Sequence, residues 1–237
     1  MPAFLNDLTP FYGTRERNAK GETLKDFLDA YDPHRYEQPS VTADILVVKH
    51  PVPFKSVENG LQLLMVKRSN HPSIGKWALP GGFVNIREDV QTAAARELEE
   101  ETGISSLPME QIHTWGNWNR DPRARIITVA HLALVKEDVP IRAGDDAADA
   151  CFFHLTCDLC DSNKTNGCLK EFYRFCLFNQ EKKIRHTFTI IEYSQTDSLL
   201  PQYDYHLVEN SGIAFDHPLV IGQGILYIKR LLSSKLQ

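Results

Sequence analysis

The sequence predicts an α/β fold, a mixed sheet held between helices as an α/β/α sandwich. Three observations predict it. Apolar, β-branched runs bounded by Gly and Pro recur along the chain and read as strands. Residues 89–103 carry helical spacing between a helix-start and a helix-stop residue. A second apolar stretch of helical spacing, residues 218–232, comes after the strands. A chain of 237 residues can bury a full core. Its 42% hydrophobic and 24% charged content is ordinary for a globular protein.

The elements follow in order. Residues 1–21 are polar and irregular, and read as a loosely held arm. Residues 22–30 place Leu24, Phe27 and Leu28 at helical spacing, a short amphipathic helix that Pro33 ends. Residues 40–49 and 61–69 read as strands separated by a turn containing Pro and Gly. Residues 77–79 form a short strand that enters the turn Pro80-Gly81-Gly82. The helix that follows starts at Asp89, a good N-cap type, and stops at Gly103, a good C-cap. Ala94 and Leu98, one turn apart, give it a face to pack on a sheet. Strands are expected at 112–118, 126–135 and 150–155. Residues 157–212 then add strand-like runs at 172–177, 187–193 and 203–208. The expected organisation is an arm with a short helix (1–35), a core (36–156), an inserted β-hairpin or small subdomain (157–212) and a closing helix of the core (213–237).

Bulk charge excludes some classes. A net charge of −5 lacks the basic footprint of a general nucleic-acid binder. No run of eighteen apolar residues exists, so no membrane span is expected. The first residues lack the cationic start and apolar core of a secretory signal. Five cysteines, an odd number, do not suggest a disulfide framework, and a reducing cytoplasm is expected. Cys157, Cys160, Cys168 and Cys176 form one tight C-x2-C pair with two thiols downstream, so either free thiols or a zinc site fits them.

The chemistry concentrates in residues 82–104, GFVNIREDVQTAAARELEEETGI. At about 100° per residue, Glu97, Glu100 and Glu101 project within an arc of roughly 100°, and Glu99 points almost the opposite way. Like charges crowded on one helix face repel each other. A hard divalent cation removes that penalty, because Mg²⁺ takes oxygen ligands from a few carboxylates, water and substrate phosphates. Glu97 and Glu101, one turn apart, suit metal ligation, and Glu100 suits either a third ligand or a general base.

Nine positions, Gly82, Glu88, Arg96, Glu97, Leu98, Glu100, Glu101, Gly103 and Ile104, match the fixed spacing of the Nudix box. The chain therefore resembles the Nudix hydrolase superfamily. The resemblance implies the α/β/α sandwich and Mg²⁺- or Mn²⁺-dependent hydrolysis of a nucleoside diphosphate linked to another moiety. It also implies that the Gly82 carbonyl joins the metal ligands and that Glu88 and Arg96 form an ion pair bracing the helix against the loop before it.

The box does not name the substrate. Residues 66–84, 120–135, 143–153 and the patch Ala214-Phe215-Asp216-His217 resemble the subgroup of ADP-ribose pyrophosphatases and a related transcriptional regulator of NAD metabolism. ADP-ribose, cleaved to AMP and ribose 5-phosphate, is the substrate implied. Other dinucleotides, sugar nucleotides, nucleoside triphosphates and a ligand-sensing repressor are the alternatives. Pro122, eighteen residues after Ile104, departs from the subgroup's proline spacing. The regulators carry a winged helix after the Ala-Phe-Asp-His patch, and here the twenty residues after His217 read as one helix. Arg68, Arg120, Arg123 and Arg125 are candidates for phosphate and ribose contacts. Trp118 and Trp115 are candidates for stacking an adenine, with a core or interface role as the alternative. His217 either packs beside Pro218 or supports the site. Family analogy favours a homodimer acting on a small nucleotide, with no nucleic-acid or membrane partner.

Overall fold

The computed structural model describes residues 5–58, 60–136, 140–142, 147–165, 167–195, 197 and 199–234. Part of the subgroup-like segment 143–153, namely 143–146, lies outside the described residues.

After helix α1 (Leu24–Ala30) come strands β1 (Ser40–Lys49), β2 (Leu61–Arg68), β3 (Trp77–Ala78) and β4 (Gly81–Phe83). Helix α2 (Val90–Thr102), β5 (Glu110–Trp115) and β6 (Ile126–Val135) follow. The chain continues through β7 (Ala147–Thr165), β8 (Cys168–Asn179), β9 (Ile184–Gln195), β10 (Gln202–Asn210) and helix α3 (His217–Ser234). Helix α1 carries the capping box of Thr23 and Asp26, which satisfies its first free N–H groups. Its Phe27 is nonetheless 48% exposed, so the expected apolar face is not buried within one chain.

All the strands belong to one sheet, ordered β10-β9-β8-β7-β2-β1-β6-β5, with β3 added to β2 and β4 to β1. β1 and β6 run parallel and the other pairs antiparallel, so the sheet is mixed. Strand alternation sends Ala43, Ile45 and Val47 to one face, where they pack with Ala94 and Leu98 of α2. Leu46 and Val48 face the other side and pack with Val220, Ile221 and Ile225 of α3. Two cores on opposite faces make the α/β/α sandwich, with more strands than helices. Among the described residues, no helix is long and apolar enough to cross a membrane.

Two departures from simple sheet geometry matter for function. First, β1 and β2 pair directly only at Val48↔Leu63 and Lys49↔Gln62. Beyond that point they splay, and β4 takes over Thr42–Asp44 of β1 while β3 takes over Val66 and Lys67 of β2. The turn between β3 and β4 is thus wedged into a fork. Second, the expected boundary at residue 157 falls inside β7, whose first half pairs with β2 and whose second half pairs with β8. The residues read as an insertion continue the core sheet outward as the rest of β7, β8, β9 and β10. Helix α3 crosses both parts. A Cβ at Gly222 would lie 2.3 Å from Ile190 of β9, and one at Gly224 would lie 2.5 Å from Leu46 of β1. These two glycines let a single helix lie close on the core and on its extension.

Candidate active site

The fork opens a cavity of about 470 Å³. Its walls come from Thr42 and Asp44 of β1, Val66–Arg68 of β2, the wedge through Phe83, the carboxylate face of α2, Arg120, Asp121 and Arg123, and the start of α3. Helix α2 is placed by its ends and by its core face. Asp89 occupies the N-cap position without a side-chain cap bond, and Gly103 takes the left-handed conformation at φ +73° with its N–H bonded to the Glu99 carbonyl. Burial of Ala94 and Leu98 turns Glu97, Glu100 and Glu101 towards the cavity.

Arg96 ties this face together. Its Nε and Nη2 donate to the Glu88 carboxylate at 2.8 and 3.0 Å, and Nη2 also donates to the Phe83 carbonyl at 2.9 Å. Its Nη1 donates to Glu97 at 2.7 Å and to Glu100 at 2.9 Å. These charge-assisted bonds hold Glu88 well below the usual carboxylate range and keep Arg96 firmly charged. Glu101 is different. Its Oε2 accepts from the Gly81 N–H at 3.0 Å, yet burial, with the charges of Glu97 and Asp44, pushes its pKa up to about 7. Burial also raises Glu97, with the charges of Glu100 and Glu88 adding to it against the pull of Arg96.

A crowded, buried carboxylate whose pKa burial raises suits the neighbourhood of a cation. Among the described residues no three ligating side chains already converge on one point. The physical reason is Arg96, whose guanidinium draws Glu97 and Glu100 to itself. The donor set is nevertheless all oxygen, as a hard divalent ion requires. The Glu97 carboxylate is seated so close to Gly82 that an added Cβ there would lie 2.3–2.5 Å from it. Glycine at this position leaves its backbone open beside the carboxylate.

The opposite wall is basic and aromatic. Arg120 makes a bidentate pair with Asp216 at 2.7 and 2.8 Å and lies 3.6 Å from Asp44. Arg123 makes another with Asp121, at 2.8 and 3.0 Å. Arg68 donates through Nε to the Pro72 carbonyl at 2.7 Å, and among the described residues it is the arginine of this wall without a carboxylate partner. Burial and the nearby Arg123 lower its pKa, the mark of a cation short of counter-charge. His217 Nδ1 accepts from the Leu79 N–H at 2.8 Å, which leaves the proton on Nε2, facing Asp44 at 3.9 Å. Burial lowers the His217 pKa, so the ring is neutral.

Residues 54–159 match the family model of the NUDIX domain. The chain carries a NUDIX domain over this stretch. It is 41% identical over 112 residues to the "ADPR responsive transcriptional repressor NtrR" of Acinetobacter baylyi, a match covering 46% of this chain and 42% of that one. It is 38% identical over 99 residues to the "ADP-ribose pyrophosphatase" of Methanocaldococcus jannaschii, covering 42% and 58%. The chain thus spans about half the length of these curated relatives. A MutT/nudix family protein of Enterococcus faecalis has the same architecture, with TM-score 0.62 and 27% identity over 87% of this chain and 70% of that one.

The Nudix helix, Gly82, Glu88, Arg96, Arg68, Arg120 and Arg123 all meet at this cavity or brace it. Arg125 does not line it; its guanidinium donates to the Gly116 and Asn117 carbonyls and closes a turn. Trp118 is 78% exposed outside it, and Trp115 is buried against His113 and Tyr205. Cys157 and Cys176 sit on adjacent strands but point to opposite faces, and Cys168 pairs with Thr165 at the far end of the ladder. The described cysteines are free and do not converge. Asp44 and Phe83 join the site without a motif to mark them, and Asp216, within the Ala214–His217 patch, proves to be the partner of Arg120. The signal for Asp44 is a lone carboxylate inside the apolar run of β1.

Proposed function

We propose that this Nudix protein hydrolyses ADP-ribose to AMP and ribose 5-phosphate with Mg²⁺ or Mn²⁺ held by Glu97, Glu100, Glu101 and the Gly82 carbonyl. The observation that carries the proposal is the buried Glu101, raised to about 7, at a cavity that also holds an unmatched Arg68. One wall calls for a cation and the other for an anion, and a metal-bound diphosphate answers both. The cavity is within the roughly 300–1,000 Å³ of small-molecule sites. The subgroup resemblance and the two curated relatives, one named for ADP-ribose pyrophosphatase activity and one for an ADPR response, favour ADP-ribose as the substrate.

When bound, the metal neutralises diphosphate charge and acidifies water. The chain's own residues do the rest. Arg68 takes an anionic oxygen. Arg96 orients Glu97 and Glu100, and the Gly81 N–H orients Glu101. A deprotonated Glu100 accepts a proton from the attacking water. The water oxygen bonds one phosphorus as the bridging P–O bond breaks, and each product leaves with one phosphate.

The test is incubation of the purified protein with Mg²⁺ and ADP-ribose, with chromatography of the products. Equal release of AMP and ribose 5-phosphate is expected. Cleavage of nucleoside triphosphates in place of ADP-ribose rejects the substrate. No cleavage together with ADP-ribose-sensitive DNA retention supports a repressor.

A further inference from the structure

Neither Trp115 nor Trp118 lines the cavity, yet its wall carries a different set of flat groups. Phe83, Arg123, Phe215 and Arg68 alternate ring with guanidinium. Arg123 lies 5.2 Å from the Phe83 ring centroid and 5.9 Å from that of Phe215, and Arg68 lies 5.0 Å from Phe215 on its other side. All three separations are within the ~6 Å range of cation–π attraction. Phe215 holds its place at φ +50°, a backbone conformation that bulky residues rarely adopt and that clusters at functional sites.

The two guanidiniums of this row are not equivalent. Arg123 spends its charge on Asp121, so it serves as a fixed flat plate. Arg68 keeps its charge for an anion. Phe83, at the row's other end, lines the cavity and is 44% exposed. The fixed pattern of the box leaves residue 83 unspecified, so the metal site does not demand an aromatic there. An open aromatic face backed by a cation, next to a diphosphate site, suits a flat heterocycle.

We propose that Phe83, braced by Arg123, is the platform on which the nucleobase of the substrate stacks. This rests on the cavity being the substrate site assigned above. Base stacking on an aromatic is sequence-tolerant and strong enough to decide affinity. The site then recognises its substrate through a base and a diphosphate, and a ligand with phosphate but no base forgoes the stacking contact.

The experiment is calorimetric titration with Mg²⁺ present, using AMP and ribose 5-phosphate, which differ by the base. Wild-type protein is expected to bind AMP the more tightly. Phe83→Ala should weaken AMP about tenfold and leave ribose 5-phosphate unchanged, and Phe83→Trp should restore AMP binding. The thermal midpoint of each variant checks that it is folded. Equal weakening of both ligands overturns the platform, as does AMP binding indifferent to Phe83 or a wild type that binds AMP no better than ribose 5-phosphate. The two proposals fail separately. If ADP-ribose is not cleaved but AMP binding still depends on Phe83, the platform stands and the substrate falls. If ADP-ribose is cleaved and Phe83 is irrelevant to AMP, the reverse holds.

Discussion

The sheet has an inner half, β1, β2 and β6, and an outer half, β8 to β10. Both are strand ladders under the same helix α3, and only the inner one holds the cavity. The inner half is covered on both faces, by α2 and α3. The outer half is covered on one: Phe175, Phe188 and Tyr205 pack towards α3, while Arg174 and His206 on the other face lie open. The inner ladder is also the one that breaks, at the fork of β1 and β2. An unbroken ladder satisfies its own backbone and leaves no gap for a ligand. The fork gives up that continuity for a walled space, its freed strand edges re-paired by β3 and β4.

The largest effect should come from the inner half. Glu101→Gln keeps shape but removes a charge on the carboxylate face proposed to hold metal, and turnover of ADP-ribose should fall by about 10²–10³ with circular dichroism unchanged. An outer-half variant such as Arg174→Ala should leave turnover alone; a comparable loss there would break the comparison.

The outer half should register instead as stability. Glu192 is buried, and Arg230 of α3 donates to it at 2.8 Å and to the Tyr205 hydroxyl at 3.1 Å. Arg230→Met strands a buried carboxylate and should cost about 2–4 kcal/mol in urea unfolding, with kcat per folded molecule unchanged.

A third test turns on pH. In metal-free protein the folded-state pKa of Glu101, about 7, lies above its ordinary 4.5. The folded state therefore holds a proton that the unfolded chain has lost. Stability from this group is full below about pH 4.5 and declines as pH rises towards 7, by an amount on the order of 1–3 kcal/mol. Thermal unfolding in chelator should show the decline. Glu101→Gln should flatten it and raise the melting temperature at pH 8, while Mg²⁺ should stabilise the wild type more than the variant.

The smallest effect marks the edge of the site. Trp118→Ala and Arg125→Ala should each change KM for ADP-ribose less than about twofold, since one side chain is exposed outside the cavity and the other closes a turn. A tenfold rise for Trp118→Ala would bring that surface into the site.

The same division explains what could be read from the sequence. Glu97, Glu100, Glu101 and Arg96 share one helix, where spacing alone sets the face. The strands of the outer half were readable as runs, but their continuity with the core was not. It depends on β7 pairing with β2 across some ninety residues, and register at that separation leaves no local pattern. Asp44 was hidden for a related reason: its partners Arg120 and His217 come from distant segments. The tryptophans show the limit of residue type. An aromatic side chain announces that it can stack and not where it points, and Phe83 rather than Trp118 lines the cavity.

The hydrogen bond from Leu79 to His217 and the ion pair of Arg120 with Asp216 join segments 138 and 96 residues apart. Closing such long loops is entropically costly before any contact repays it, and contacts of this range form late. On a ribosome, helix α2 can emerge and fold while the outer strands are still being made. The cavity wall cannot, because its last pieces follow β10. The protein would therefore complete its carboxylate face before Phe215, Asp216 and His217 arrive to close the opposite wall.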